Sequence, residues 1–217
     1  MADDRFPTYF VSYCNRVIRE QLPGVHAQRR MAPVPDSRPG MEDLEGLKTR
    51  DSAVLILFSL QEPHAILYTV RNEGLANHGG QISFPGGRQE PGEKPVDTAR
   101  RETAEEVGIL PEQYELSGCL SPLYVPPSRF IIYPWLAFCN DRPAFRVQTS
   151  EVNEAFWVPV QELLDQQNIK TRELEYGEEK LSYPYWDVHR VPLWGATAMI
   201  TSEILALYRD FLEQHPG

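Results

Sequence analysis

Three glutamates in one short stretch have the residue type and the spacing of a metal-binding group. Glu105 and Glu106 follow Glu102 by three and four residues, so all three side chains share one face if this stretch is a helix. Like charges at these spacings repel each other and destabilise an isolated helix. A hard divalent cation such as Mg²⁺ prefers oxygen ligands and would offset that repulsion. The spacing therefore indicates either a Mg²⁺ site or an acidic helix face that is exposed to solvent.

The residues around these glutamates predict the helix that positions them. Apolar and small side chains recur every three or four residues between Pro95 and Val107, which is typical of a helix with one buried stripe. The stripe consists of Val96, Ala99, Thr103 and Val107. Proline is well tolerated in the first turn of a helix, and Gly108 is expected to end it.

A short strand and a glycine turn precede this helix. Residues 81–84 alternate polar and apolar side chains, which predicts a strand that ends at the turn 85–87. The turn can bring a backbone carbonyl of Gly86 or Gly87 to the same cation. Glu93 and Arg101 are expected to form an ion pair that orients the carboxylates from behind.

The spacing of these residues resembles the Nudix box, the signature of the Nudix hydrolases. The pattern G-x5-E-x7-R-E-x-x-E-E-x-G is matched by Gly87, Glu93, Arg101, Glu102, Glu105, Glu106 and Gly108. Thr103 stands where the family usually has an aliphatic residue, a change that concerns packing and not metal binding. The resemblance implies an α/β fold, an αβα sandwich with a mixed sheet in which the box forms a loop, a helix and a loop.

The same resemblance implies a chemistry. Nudix hydrolases cleave a nucleoside diphosphate linked to another moiety, and the implied cofactor is Mg²⁺ or Mn²⁺. The implied metal ligands are the carboxylates of Glu102, Glu105 and Glu106 and the carbonyl of Gly86. Glu105 and Glu106 are the candidate catalytic residues, with Glu105 the first choice for the base, although the sequence does not separate a base from a ligand.

A second pattern, just before the box, resembles the coenzyme A pyrophosphatase branch of the family. Its positions are matched by Leu67, Thr69, Arg71, Gly80, Phe84, Pro85, Gly86 and Gly87. An H-x-G-Q element found in many members is matched by His78, Gly80 and Gln81. The chain departs from the branch at Tyr68, Asn72 and Ala76, of which Ala76 replaces an arginine.

This branch implies hydrolysis of coenzyme A or its derivatives to 3′,5′-ADP and 4′-phosphopantetheine. Arg71, His78 and Gln81 are expected to bind the substrate beside the diphosphate, because they immediately precede the strand that leads to Gly86. Two alternatives stay open. One is a Nudix hydrolase for ADP-ribose or a dinucleotide, and the other is a non-catalytic, nucleotide-sensing module.

The rest of the chain predicts a single domain, residues 1–217, with its core at about 50–165 and with extra helices in extensions at 1–49 and 170–217. The predicted elements are an amphipathic helix at 6–22, a linker at 31–50, strands at 53–60, 65–70, 114–125, 130–138 and 154–158, a helix from 159, an exposed turn at 170–180, an aromatic hairpin at 183–194 and a helix at 196–212. Glu151 and Glu154, in a run that resembles a later Nudix segment, lie either near the metals or on the surface.

The composition of the chain excludes some classes of binding partner. A net charge of −10 argues against nucleic acid and against a membrane surface, which leaves a small-molecule nucleotide substrate; a homodimer stays open. Acidic residues at the N-terminus do not suit a signal peptide, and the three cysteines are widely spaced, as expected of reduced thiols. These two features predict a cytoplasmic location.

Overall fold

A mixed β-sheet forms the central layer of the molecule. The computed structural model describes residues 6–36, 38–74, 79–176 and 179–215, in which eight strands form this sheet and two more form a separate hairpin. The strands are β1 (Arg50–Ser59), β2 (Ala65–Arg71), β3 (Ile82–Ser83), β4 (Gly86–Arg88), β5 (Glu115–Cys119), β6 (Leu123–Val125), β7 (Phe130–Cys139), β8 (Val152–Pro159), β9 (Ile169–Tyr176) and β10 (Glu179–Trp186). The helices are α1 (Phe6–Glu20), α2 (Gly24–Gln28), α3 (Pro95–Val107), α4 (Val160–Leu164) and α5 (Gly195–Gln214).

The sheet splays open between its two central strands. β1 and β2 pair only at one end, where Phe58 lies opposite Ile66. Further along, β3 pairs with β2 and β4 pairs with β1, so residues 82–88 fill the opening. The outer edges are regular, because β1 pairs in parallel with β7 and β2 pairs antiparallel with β8. The glycine turn is therefore held between the two strands at the centre of the sheet.

Helices cover both faces of the sheet. Leu55 and Leu57 of β1 pack in one apolar cluster with residues of α3, whereas Ile56 and Phe58 pack in another with residues of α1 and α5. Because both faces are covered, β1 is apolar along most of its length and does not alternate with polar residues. Burying each of these large side chains stabilises the fold by about 1.5–3 kcal/mol. The predicted αβα sandwich with a mixed sheet is confirmed.

Helix α3 has the predicted bounds, with a proline at its start and Gly108 as a left-handed C-cap. Ala99, Thr103 and Val107 are buried, as the stripe requires. The hydroxyl of Thr103 donates to the carbonyl of Ala99 at 2.7 Å, so the polar atom is satisfied at a position where the pattern favours an aliphatic side chain.

Residues 31–50 are not the extended linker that their prolines and charges predict. Met31 and Ala32 are buried in the cluster that contains α5, and Leu44 is buried against Tyr124 and Ile131. Val34 forms an isolated β-bridge with Ser182. A few apolar residues anchor this segment to the core. The prediction missed them because most residues of the segment are polar, charged or proline.

A buried carboxylate ties the N-terminal segment to the last helix. Glu203 of α5 accepts hydrogen bonds from the backbone N–H of Gly24 at 3.1 Å, from Gln28 Nε2 at 2.9 Å and from Ser121 Oγ at 2.6 Å. Burial raises the pKa of Glu203, and these donors oppose that rise. The contacts support a single domain, which stays a prediction.

Most of the segment expected to be an exposed turn, residues 170–180, belongs to two paired strands, and its residues 177 and 178 lie outside the described residues. β9 and β10 pair antiparallel from Ile169 opposite Trp186 to Tyr176 opposite Glu179. The side chains of Lys170 to Glu173 are exposed, so both faces of this part of β9 are open to solvent. Its residues are therefore charged, and the composition resembles that of a loop. Among the described residues, no helix has the length and the apolar character needed to cross a membrane.

Candidate active site

Three carboxylates meet where α3 faces the glycine turn. Oxygen atoms of Glu102, Glu106 and Glu151 lie within 4.8 Å of one another. The first two come from neighbouring turns of α3, and Glu151 comes from the segment just before β8. Oxygen donors from three carboxylates are the ligand set that a hard divalent cation prefers.

Glu106 is the most buried member of this group, with a relative exposure of 1%. Its Oε2 accepts a hydrogen bond from the backbone N–H of Gly86 at 3.1 Å, and its Oε1 lies 3.8 Å from Arg71 Nη1. Burial raises the pKa of the Glu106 carboxyl to about 8, while Gly86 and Arg71 oppose the rise and Glu102 adds to it. A bound cation would favour the ionised form, so the chemistry of this group fits a metal ion.

The glycines of the turn allow its backbone to approach the carboxylates. A Cβ atom at Gly87 would lie 2.3 Å from Oε1 of Glu102, and a Cβ at Gly86 would lie 2.4 Å from the carbonyl oxygen of Ala53. At Gly86 the clash would be with the backbone of β1, so the turn needs glycine there to place the Gly86 N–H on Glu106. At Gly87 a side chain would displace the Glu102 carboxylate. The Gly86 carbonyl stays a predicted metal ligand.

Arg101 links two glutamates of α3, Glu102 and Glu105, to Glu93. Its Nε lies 3.0 Å from Glu93 Oε1, and its Nη1 lies 2.9 Å from Glu102 Oε1 and 3.1 Å from Glu105 Oε2. The bond from Arg101 is the main cause that lowers the pKa of Glu93 to about 2. Because this pKa is lower than in the unfolded chain, the pair stabilises the fold at neutral pH and loses that effect as the pH falls from about 4.5 to about 2.

The two expected glutamates outside the box have different surroundings. Glu154 lies on the same face of β8 as Phe156, which packs in the apolar cluster with α5. The Oε2 atom of Glu154 lies 2.5 Å from Arg190 Nη1. Glu151 instead joins the carboxylate group. The sequence could not show which of the two glutamates lies near the metal ligands, because no periodicity links either of them to α3.

Glu105 lies outside the group of three carboxylates. Its side chain is 58% exposed, and its recorded partner is Arg101. It remains one residue from Glu106 and three from Glu102, so its roles as a ligand and as the base stay predictions.

The residues expected to bind substrate are placed only in part. Arg71 lies beside Glu106 with 28% of its side chain exposed, and its backbone N–H donates to the carbonyl of Gln81 at 3.0 Å. His78 and Ala76 lie outside the described residues. The structure thus brings Arg71 and the backbone of Gln81 to the edge of the carboxylate group.

Metal binding should be visible as a change in stability. We expect Mg²⁺ or Mn²⁺ to raise the Tm of the metal-free protein by about 5–10 °C at a concentration about 100 times the Kd, because the ion binds only the folded state and relieves the repulsion among the carboxylates. Thermal unfolding after treatment with a chelator measures the shift. Glu102→Gln should reduce it, whereas Asp97→Asn, which removes an exposed charge from the first turn of the same helix, should not. Equal Tm values with and without millimolar metal would indicate an acidic face without a site.

Comparison with known proteins gives consistent matches. Residues 48–177 match the model of the NUDIX domain. The mitochondrial coenzyme A diphosphatase NUDT8 of Homo sapiens is 37% identical over 164 residues, which cover 72% of this chain and 68% of the relative. The protein of the same name from Mus musculus is 35% identical over 171 residues, 74% of this chain and 80% of the relative.

A solved structure agrees at the level of the fold. The crystal structure of a MutT/nudix family protein from Enterococcus faecalis aligns with a TM-score of 0.55 and 17% identity, covering 93% of this chain and 75% of that one. At this identity the likeness supports the fold alone.

The predicted cytoplasmic location is contradicted by the relatives from human and mouse, because both are named as mitochondrial proteins. The expectation depended on acidic residues at the N-terminus, which argue against a secretory signal peptide, and on widely spaced cysteines, which suit any reducing compartment.

Proposed function

This chain belongs to the Nudix hydrolase family and is a pyrophosphohydrolase, and we propose that its substrate is coenzyme A or a derivative of it. Cleavage of the pyrophosphate linkage would yield 3′,5′-ADP and 4′-phosphopantetheine. The convergence of Glu102, Glu106 and Glu151 beside Arg71 is the observation that supports this chemistry. The pattern that precedes the box and the activity named for the NUDT8 relatives support coenzyme A as the substrate.

Nudix hydrolases generally need a divalent metal, and we propose that Mg²⁺ or Mn²⁺ serves this protein. Glu102, Glu106 and Glu151 would hold it, with Glu105 and the Gly86 carbonyl as further ligands. When bound, such ions neutralise the diphosphate and lower the pKa of a coordinated water. The protein contributes a buried, hydrogen-bonded carboxylate in Glu106 and an arginine, Arg101, that keeps Glu102 in place.

Arg71 is the protein cation proposed to contact the substrate. Its guanidinium lies 3.8 Å from Glu106 and is partly open to solvent, so it can reach a diphosphate held at the carboxylate group. Gln81, next to it through a backbone hydrogen bond, and His78 are proposed to contact the same substrate. The catalytic base is proposed to be Glu105 or Glu151, because both are exposed enough to reach a water molecule, whereas Glu106 is buried.

A turnover screen tests this proposal. We expect kcat/KM for coenzyme A to exceed that for ADP-ribose, NADH and diadenosine polyphosphates by about tenfold or more, since one well-placed phosphate contact contributes about 1.5–3 kcal/mol. Coenzyme A, its acyl derivatives and these other substrates would be assayed with Mg²⁺ and with Mn²⁺. The products would be identified as 3′,5′-ADP and 4′-phosphopantetheine.

Two outcomes would contradict it at different levels. A clear preference for ADP-ribose or a dinucleotide would reject coenzyme A as the substrate and leave the hydrolase activity in place. Tight binding of a nucleotide with no turnover of any compound would favour the sensing module. The presence of all the box carboxylates argues against that module, because binding alone does not require them.

A further inference from the structure

The segment that carries Glu151 is held at one end by helix α3. The backbone N–H of Arg146 donates to the carbonyl of Val107 at 2.7 Å, and that of Gln148 donates to the carbonyl of Glu106 at 2.9 Å. These bonds use carbonyls at the end of α3 that have no partner within the helix. They fix residues 146–148, and the backbone N–H groups of Glu151 and Val152 both donate to the carbonyl of Gln148 at 3.0 Å, so one turn ties Glu151 to this anchor.

The regular pairing of β8 with β2 does not reach Glu151. The register between these strands shifts between Val70 and Arg71, where Arg71 lies opposite Val152. Glu151 precedes β8, and its side chain is exposed. Its carboxylate also lies within 4.8 Å of the carboxylates of Glu102 and Glu106, and like charges at such a distance repel each other. Contacts on the other side of Glu151 would help the turn at Gln148 to hold it against this repulsion.

Asn72 makes such contacts, one through its side chain and one through its backbone. Its Nδ2 donates to the carbonyl of Thr149 at 2.7 Å, and its backbone N–H donates to the carbonyl of Glu151 at 2.8 Å. Its Oδ1 accepts from the backbone N–H of Gly74 at 2.8 Å. The Gly74 N–H can only donate and the Thr149 carbonyl can only accept, so both bonds form in one orientation of the amide. The side chain is thus locked with its donor on the Glu151 segment.

We propose that Asn72 is a positioning residue that holds residues 149–151 so that the Glu151 carboxylate joins Glu102 and Glu106. This inference goes beyond the proposed function but depends on it for its kinetic consequence. Asn72 does not touch the reacting atoms, and it acts through Glu151. Asparagine stands here at a position where the branch pattern has a small residue, which cannot span the same two partners.

The first test measures, without any substrate, whether Asn72 holds residues 149–151. Asn72→Ala removes the side-chain bond to Thr149 and keeps the backbone bond from residue 72 to Glu151. Deuterium uptake at residues 149–152, where the Glu151 and Val152 N–H groups are hydrogen-bonded, should become about 3- to 10-fold faster, the loss expected for one hydrogen bond. The matched control is Asn168→Ala, because the Asn168 amide also donates to a backbone carbonyl, that of Glu162, in an exposed hydrogen bond of 2.9 Å. It should leave uptake at 149–152 unchanged. Unchanged uptake in Asn72→Ala would overturn the proposal.

The second test asks whether Asn72 acts through Glu151. Asn72→Ala should lower kcat by about tenfold with little change in KM, as expected when a group that orients a metal-site carboxylate is lost. In a Glu151→Gln background the same substitution should have no further effect on kcat. Equal losses in both backgrounds would reject Glu151 as the intermediary. A wild-type protein without turnover would overturn the proposed function, and the exchange result alone would then decide whether Asn72 holds the segment.

Discussion

Glu106→Gln is expected to lower kcat by about two or more powers of ten while the protein stays folded, because the substitution removes charge that stabilises the transition state through the metal. Glutamine has nearly the same shape, and its Oε1 can still accept the hydrogen bond that the Gly86 N–H gives to Glu106. The ion pair with Arg71 is lost, because glutamine carries no charge. Steady-state kinetics with coenzyme A and Mg²⁺, together with circular dichroism and the Tm, measure the two effects separately.

The matched control for this prediction is Asp97→Asn. It removes one carboxylate from the exposed first turn of the same helix and should leave kcat within about twofold, since a surface substitution away from the site changes little. A folded Glu106→Gln protein with full activity would reject Glu106 as a ligand and would leave the acidic face of α3 without a catalytic role.

Glu151→Gln carries the second largest expected effect, a loss of kcat by about one to two powers of ten, because one of the three converging carboxylates is removed. The Tm of the metal-free protein should stay the same or rise, since the side chain is exposed and its charge repels Glu102 and Glu106. The pH dependence of kcat then separates its two proposed roles. If Glu151 is the base, kcat of the Glu151→Gln variant should no longer fall at low pH. If Glu151 is only a metal ligand, the pH profile should keep its shape at a lower kcat.

Glu154→Gln is the control, because it removes an equivalent charge three residues away. Glu154 is paired with Arg190 on the face of the sheet that packs against α5, so kcat should change by less than about threefold. If Glu154→Gln were the more damaging of the two, the assignment of Glu151 would be wrong. The functional carboxylate would then belong to the other face of β8.

The amino-acid sequence by itself determined the central helix and most of the carboxylate group. The bounds of α3, its buried stripe and its C-cap follow from contacts within a few residues, which a helical period expresses directly. The same holds for the β1–β2 hairpin, whose two apolar runs are separated by a short polar turn. The pairing of Arg101 with Glu93 also involves residues on the same loop and helix.

Only the tertiary structure decided which distant residues complete the site. Glu151 lies far along the chain from α3, and it reaches Glu102 and Glu106 because backbone bonds to the end of α3 and the Asn72 amide hold its segment there. Glu105 shares α3 with Glu102 and Glu106, but its side chain is 58% exposed and pairs with Arg101. Sequence periodicity records which face of an element a residue occupies, but it carries no signal for the side chain that another element brings to that face.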